Sequence, residues 1–102
     1  MPQKRMPSYS PTTCYVVAYD IPDDRRRNKV HQILCGFGTW TQYALFECFL
    51  SKKELVQLKA KLARHIQETQ DSVRFYPLCA ACLDKVETIG GEPPQEDVTL
   101  IV

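Results

Sequence analysis

The stretch Cys-Tyr-Val-Val-Ala-Tyr-Asp-Ile-Pro, residues 14–22, constrains this chain more than any other. Tyr15 to Ile21 is rich in β-branched and aromatic residues and reads as a strand. Pro22 breaks it, and Pro22-Asp23-Asp24 opens a helix, with an Asp as N-cap and acids suited to the positive helix end. Val30, Ile33, Leu34 and Phe37 then recur at helical spacing, and Gly36 and Gly38 stop the helix. A strand that feeds directly into a helix commits the chain to a sheet with helices packed on it.

The remaining segments extend that arrangement. Residues 40–50, WTQYALFECFL, are aromatic and extended, with Tyr43, Leu45 and Glu47 on one face and Ala44, Phe46 and Cys48 on the other. Ser51-Lys52-Lys53-Glu54 is a capping box, and Leu55, Leu58, Leu62 and Ile66 give the helix it opens an apolar stripe. Ser72 to Leu78 reads as another strand and Val86 to Ile89 as a short one. Such an order suits an α+β fold, an antiparallel sheet with both helices on one face. A bend within 40–50 makes it the ferredoxin-like β-α-β-β-α-β arrangement with additional C-terminal strands. Residues 1–13, with three prolines and no periodicity, are expected to be a flexible extension, and 14–90 the ferredoxin-like domain. Residues 91–102 form a linker and a last strand, VTLIV, set apart from the body by Gly90-Gly91 and Pro93-Pro94. That strand has little to pair with unless it reaches a sheet edge, one of another subunit included.

At 102 residues the chain makes one domain, small enough that association is a natural way to bury more surface. No apolar run approaches the roughly 18 residues of a membrane span, and the N-terminus lacks the apolar stretch of a signal peptide. Five cysteines, an odd number, then read as reduced thiols in a cytoplasm. The net charge of +1 conceals an asymmetry: residues 1–83 carry a net of +5 and residues 84–102 a net of −4. A basic body permits a polyanionic ligand without demanding one.

Asp20 raises the chemical question, because it puts a carboxylate at the end of a core strand. An unpaired buried carboxylate is costly, so it reaches water, bonds to the helix start, or binds a cation. The arginines that follow sort by angle: Arg26 lies nearest the inward face, Arg27 at its edge, and Arg25 and Asn28 point to solvent. Cations in a first helical turn oppose the helix dipole, so helix stability does not explain them. They either pair with Asp20, Asp23 or Asp24, or contact a phosphate beside a metal-binding carboxylate. Cys79-Ala-Ala-Cys82 has metal-ligand spacing, but zinc needs about four ligands and no second such pair exists. Lys52, Lys53, Lys59, Lys61 and Arg64 make a charged helix face of the kind that is usually only solvated.

Three blocks, YDIPDDRRRNKV (19–30), GFGTWTQYALFEC (36–48) and DSVRFYPLC (71–79), resemble in order and spacing the signature blocks of a small CRISPR-associated family, Cas2, of the spacer-acquisition module. The resemblance implies a ferredoxin-like fold and a homodimer in which C-terminal strands cross to the partner's sheet. It also implies a magnesium-dependent (or Mn²⁺-dependent) nuclease hydrolysing RNA or DNA. The more general role it implies, in antiviral defence, is as the central dimer between two dimers of the Cas1 integrase, holding the double-stranded DNA to be inserted into the CRISPR array. Transferred to this chain, Asp20 becomes the catalytic residue and the metal ligand, with one Mg²⁺ site shared across the dimer. Arg26, Arg27 and Lys29 are the nucleic-acid contacts, and Tyr19, Gln42 and Phe46 support the site. Two positions depart from the pattern: Ala44 stands where the family often has Ser, and Trp40 where some members carry a basic residue. The alternative is a stand-alone, toxin-like RNA-cleaving nuclease of related fold, which needs the same Asp20 and basic surface.

Overall fold

A computed structural model describes residues 11–95. Within them the chain runs β1 (Thr13–Asp20), α1 (Asp24–Cys35), β2 (Thr39–Gln42), β3 (Leu45–Leu50), α2 (Lys52–Ala63), β4 (Ser72–Leu78) and a short α3 (Ala80–Asp84). The four strands form one sheet in the order β2-β3-β1-β4, every neighbouring pair antiparallel. The first and third strands of the chain therefore lie side by side, with the second and fourth at the edges. This is the ferredoxin-like α+β arrangement that the sequence predicts.

Alternation along the strands gives the sheet two unlike faces. Val17, Tyr19 and Ile21 from β1 and its end, and Phe46, Cys48 and Leu50 from β3, point to one side. There they meet Val30 and Leu34 of α1 and Leu58 and Leu62 of α2 in a single buried cluster. Each fully buried Leu, Val or Phe in such a cluster is worth about 1.5–3 kcal/mol relative to exposure. The opposite face carries Val16, Ala18, Leu45, Phe49 and Leu78, only partly covered, and an exposed Tyr76.

Both helix starts are closed by side chains. The Asp23 carboxylate accepts from the Arg26 backbone N–H at 2.9 Å. At α2 the full capping box is present, Glu54 N–H to Ser51 Oγ at 3.2 Å and Ser51 N–H to Glu54 Oε1 at 2.8 Å. After α1 the N–H groups of Gly36 and Gly38 return to the Ile33 and Leu34 carbonyls. Gly38 is required for packing rather than for its dihedrals: a Cβ there would lie 2.5 Å from the Glu47 carbonyl oxygen and against Cys48 Sγ.

Three expectations are revised. The 40–50 segment is a hairpin whose tip is Tyr43, in the left-handed region at φ 49° and 87% exposed, so Tyr43 belongs to neither face of a strand. A non-glycine residue is held there with the Trp40 indole N–H donating to its carbonyl at 2.7 Å. Val86 to Ile89 is not a strand. Residues 80–84 turn into α3 instead, and the residues that follow, 85–92, are exposed with no strand beside them among the described residues. Ile66 packs against the core from beyond the end of α2 rather than from the helix itself. The final strand, VTLIV, lies outside the described residues.

Candidate metal and nucleic-acid site

The site is built where β1 ends. Tyr19 and Asp20 are adjacent, so they face opposite ways. Tyr19 points into the helical layer, where it is buried; its hydroxyl sits 3.1 Å from His31 Nδ1 and its ring packs on Phe46 at 6.4 Å. Burial pushes the Tyr19 phenol up from its ordinary value, partly offset by the Arg27 charge. Phe46 is fully buried and also meets the His31 ring edge-on at 5.1 Å. Tyr19 and Phe46 thus buttress the strand end from beneath and have no open surface at which to meet a ligand.

Asp20 emerges on the other face. It pairs across the ladder with Ser72, is exposed, and its carboxylate has no hydrogen bond or ion pair with any described residue. The arginines that follow do not reach it. Arg27 turns back on the chain: one guanidinium nitrogen donates to the carbonyls of Ile21 (3.0 Å) and Pro22 (3.4 Å), and another pairs with Asp24. It thereby satisfies two carbonyls of the strand-to-helix turn and fixes the turn that presents Asp20.

Arg26 is committed elsewhere. Its guanidinium makes a two-point contact with Asp71, Nε to Oδ2 at 2.8 Å and Nη2 to Oδ1 at 3.0 Å, and also reaches Gln70 at 3.2 Å. Asp71 is buried and accepts a further bond from the Gln67 backbone N–H at 2.8 Å. The Arg26 guanidinium, followed by that backbone N–H, holds the Asp71 carboxyl below the usual carboxylate range against the effect of burial. Lys29 is exposed and lies on the opposite flank of α1 from Arg27, since residues two apart do not share a helix face. With Arg25, Arg26, Asn28, Gln32 and His65 it lines an open groove of about 470 Å³. The structure therefore brings Arg26 and Lys29 to one flank and leaves Arg27 with the strand end. Gln42 lies on β2 beside the hairpin tip, where the Ala44 carbonyl accepts from the Tyr19 backbone N–H at 3.1 Å.

Sequence reasoning missed two residues. Arg74 projects from β4 on the same face as Asp20, two positions along the ladder, with its guanidinium 3.4 Å from the Tyr76 hydroxyl. The alternation of DSVRFYPL carries that signal. Glu47 lies on the same open face, opposite Val16, and burial pushes its carboxyl up. Among the described residues no group of three or more His, Cys, Asp or Glu side chains converges. One chain alone offers a cation a single free carboxylate at this place.

Comparison with known proteins fixes the context of this geometry. Residues 13–86 match the family described as CRISPR associated protein Cas2. The chain belongs to the CRISPR-associated Cas2 family. A relative from Synechocystis sp., named CRISPR-associated endoribonuclease Cas2 3, is 51% identical over 80 residues, covering 78% of this chain and 86% of the relative. The crystal structure of Streptococcus pyogenes Cas2 at pH 6.5 superposes with a TM-score of 0.66 at 32% identity, covering 76% of this chain and 99% of that one. A chain of a partial Cas6-RT-Cas1–Cas2 complex does so with a TM-score of 0.69 at 26% identity, covering 88% and 98%. No helix among the described residues of this Cas2 chain is long and apolar enough to cross a membrane.

Proposed function

We propose that this Cas2 chain works in CRISPR adaptation as a homodimeric scaffold that holds double-stranded DNA between Cas1 integrase subunits. In this reading a divalent cation shared by two Asp20 carboxylates gives it a secondary nuclease activity. One observation carries the reading. Asp20 is an exposed carboxylate, without a partner among the described residues, at the rim of a sheet face that the helices leave open, while the neighbouring Asp23, Asp24, Arg26 and Arg27 at the strand-to-helix turn are already paired. The open face, with Val16, Ala18, Leu45 and Tyr76, suits burial against a second copy about a two-fold axis. Such an arrangement doubles the single carboxylate into the pair of hard oxygen donors that Mg²⁺ or Mn²⁺ prefers. A structural relative taken from a complex containing Cas1, and the endoribonuclease name of the Synechocystis relative, support the two halves of the proposal.

The residues divide the work. Asp20 holds the cation, which when bound supplies a Lewis acid to the phosphodiester and lowers the pKa of water. Arg27 keeps the Ile21–Pro22 carbonyls engaged so that Asp20 stays in place. Arg74, on the same face, is the nearest basic group along the ladder to meet a phosphate oxygen there. Lys29 and Arg25, exposed on α1, attract the backbone of the nucleic acid, and no base-reading motif accompanies them. With one carboxylate per chain the cation is held weakly, so binding is the main function and cleavage the minor one.

The test is the Asp20→Asn protein, with cleavage, DNA binding and Cas1 association measured on one preparation. Loss of Mn²⁺-dependent cleavage with DNA and Cas1 binding retained supports the scaffold with a secondary nuclease. Cleavage at the wild-type rate removes Asp20 from the chemistry. A second reading, a stand-alone nuclease acting on RNA, is favoured by the endoribonuclease name of the relative. Robust RNA cleavage combined with no association with Cas1 would select it.

A further inference from the structure

We propose that Cys79 and Cys82 form a thiol–disulfide exchange site, reacting with low-molecular-weight disulfides to close an intramolecular disulfide at the end of β4. The adaptation role uses neither residue. The two thiols are set apart from the other three by their surroundings. Cys14 and Cys48 are buried, and Cys35, though exposed, is separated in sequence from every other cysteine by more than ten residues. Cys79 and Cys82 are both exposed and three residues apart, at the first turn of α3.

Their geometry is that of a pair ready to close. Cys79 is the N-cap of α3, and its Sγ accepts from the Cys82 backbone N–H at 3.3 Å. Cα atoms three apart on a helical turn stand about 5 Å from each other. A disulfide accepts Cα separations of about 4.4–6.8 Å, so the two sulfurs can bond by small side-chain rotations without unwinding the turn. The hydrogen bond also divides the roles. Donation from the Cys82 backbone N–H lowers the Cys79 thiol from its ordinary value, while the neighbouring Cys79 sulfur raises the Cys82 thiol. Burial drives Cys48 the other way, to about 12, and leaves it inert.

The chemistry balances without any group beyond the two thiols and the disulfide. The Cys79 thiolate attacks one sulfur of the small disulfide, whose S–S bond breaks, and one thiolate leaves. The Cys82 thiol gives its proton to solvent and attacks the Cys79 sulfur of the mixed disulfide, expelling the second thiolate. Two cysteine thiols are oxidised to one disulfide, and the small disulfide is reduced to two thiols. The pair lies at the point where the chain leaves the sheet for residues 86–95, which with Val16, Leu45 and Glu47 border a groove of about 870 Å³ on the open face.

Glutathione disulfide is the probe, used on the full chain with peptide mapping by mass spectrometry. In the wild type we expect a disulfide confined to the peptide spanning residues 79–82, opened again by dithiothreitol. The Cys82→Ser protein should instead accumulate a glutathione adduct on Cys79. The Cys79→Ser protein should accumulate one on Cys82 at a rate lower by about tenfold. Serine is a strong N-cap, so Cys79→Ser keeps α3 closed, and an unchanged melting temperature confirms that the fold is intact. The proposal is overturned if the wild type collects separate adducts without a 79–82 disulfide. It is also overturned if Cys35 reacts as fast as Cys79, or if one zinc ion per chain shields both thiols from the probe.

Discussion

Asp20 and Asp71 stand at the same end of the sheet, since Asp20 pairs with Ser72 and Asp71 is the next residue out. They end on opposite faces and have opposite fates. Asp71 turns toward the helices, is buried, and is fully engaged by the Arg26 guanidinium and the Gln67 backbone N–H. Asp20 turns outward and has no partner among the described residues. The residue type is identical and the places are nearly so. The face of the sheet decides which carboxylate holds the fold together and which remains available to a ligand.

Asparagine at each position sharpens this contrast most directly. Asp20→Asn is expected to reduce Mn²⁺-dependent cleavage by at least about 100-fold, a loss typical of removing a group that positions transition-state charge. Its melting temperature should stay within about 2 °C of wild type. Asp71→Asn should do the reverse. It leaves the Arg26 charge without its counterion in a part-buried place, and the melting temperature should fall by about 10 °C. Cleavage per folded molecule should change little. An Asp20→Asn protein that melts as early as the Asp71→Asn protein would erase the distinction between the two sites.

Acid separates the same pair in solution. The folded-state carboxyl of Asp71 is held below its ordinary value, so its contribution to stability is complete above about pH 4 and is lost as pH falls through the lowered value. Thermal melts across that range should therefore show a steeper acid loss for wild type than for Asp71→Asn. Parallel curves would mean that the Arg26 pair does not contribute in this way. Cation linkage tests the other aspartate. Mn²⁺ at ten times its dissociation constant should stabilise wild type by about 1.4 kcal/mol and leave Asp20→Asn unmoved. An equal shift in both proteins would place the cation elsewhere.

The smallest effect concerns the basic flank. Neutralising Lys29, with Arg25, should lower the salt slope of duplex binding by about 0.9 for each phosphate that is no longer neutralised, with no change in sequence preference. Arg27 is the wrong residue for that experiment, because its guanidinium closes the turn at Ile21 and Pro22 and its removal would disturb Asp20 itself. Identical slopes for Lys29→Gln and wild type would take α1 out of the interface.

How much of this was legible beforehand depended on how local the cause was. Both helix caps, the β1 boundary and the β4 strand follow from residues within a few positions of each other. The topology follows from their order. The pairing of Arg26 was not legible, because Asp71 is 45 residues away and only the folded register brings it beneath α1. Sequence angles placed Arg26 inward correctly and offered Asp20, Asp23 and Asp24 as partners for the arginines. Asp23 lies 3.9 Å from Arg26 and Asp24 pairs with Arg27, but Asp20 pairs with neither, and the closer two-point contact of Arg26 is with the distant Asp71. Arg74 was hidden for a similar reason, since the block that contains it reads first as a strand and its relation to Asp20 is a matter of register. Val86 to Ile89 failed differently. Val86 and Ile89 are apolar with Glu87 and Thr88 between them, so the segment does not alternate, and so short a stretch does not reveal whether a neighbouring strand is there. The α2 lysines were also underestimated: Lys59 lies over the Phe75 ring at 5.5 Å and Lys61 over Phe37 at 5.4 Å, so part of that charged face covers apolar surface.

Trp40 gives the molecule a built-in optical gauge. It is the single tryptophan in the sequence, and its indole is pinned at both ends, by the hydrogen bond to the Tyr43 carbonyl and by edge contact with the His31 ring at 5.1 Å. The emitting ring therefore spans the seam between α1 and the β2–β3 hairpin, on whose far side Tyr19 carries the end of β1. Any event that shifts the hairpin against the helix changes the ring's contact with imidazole and its exposure to water. Emission colour and intensity can then follow the strand end in real time, with no label attached.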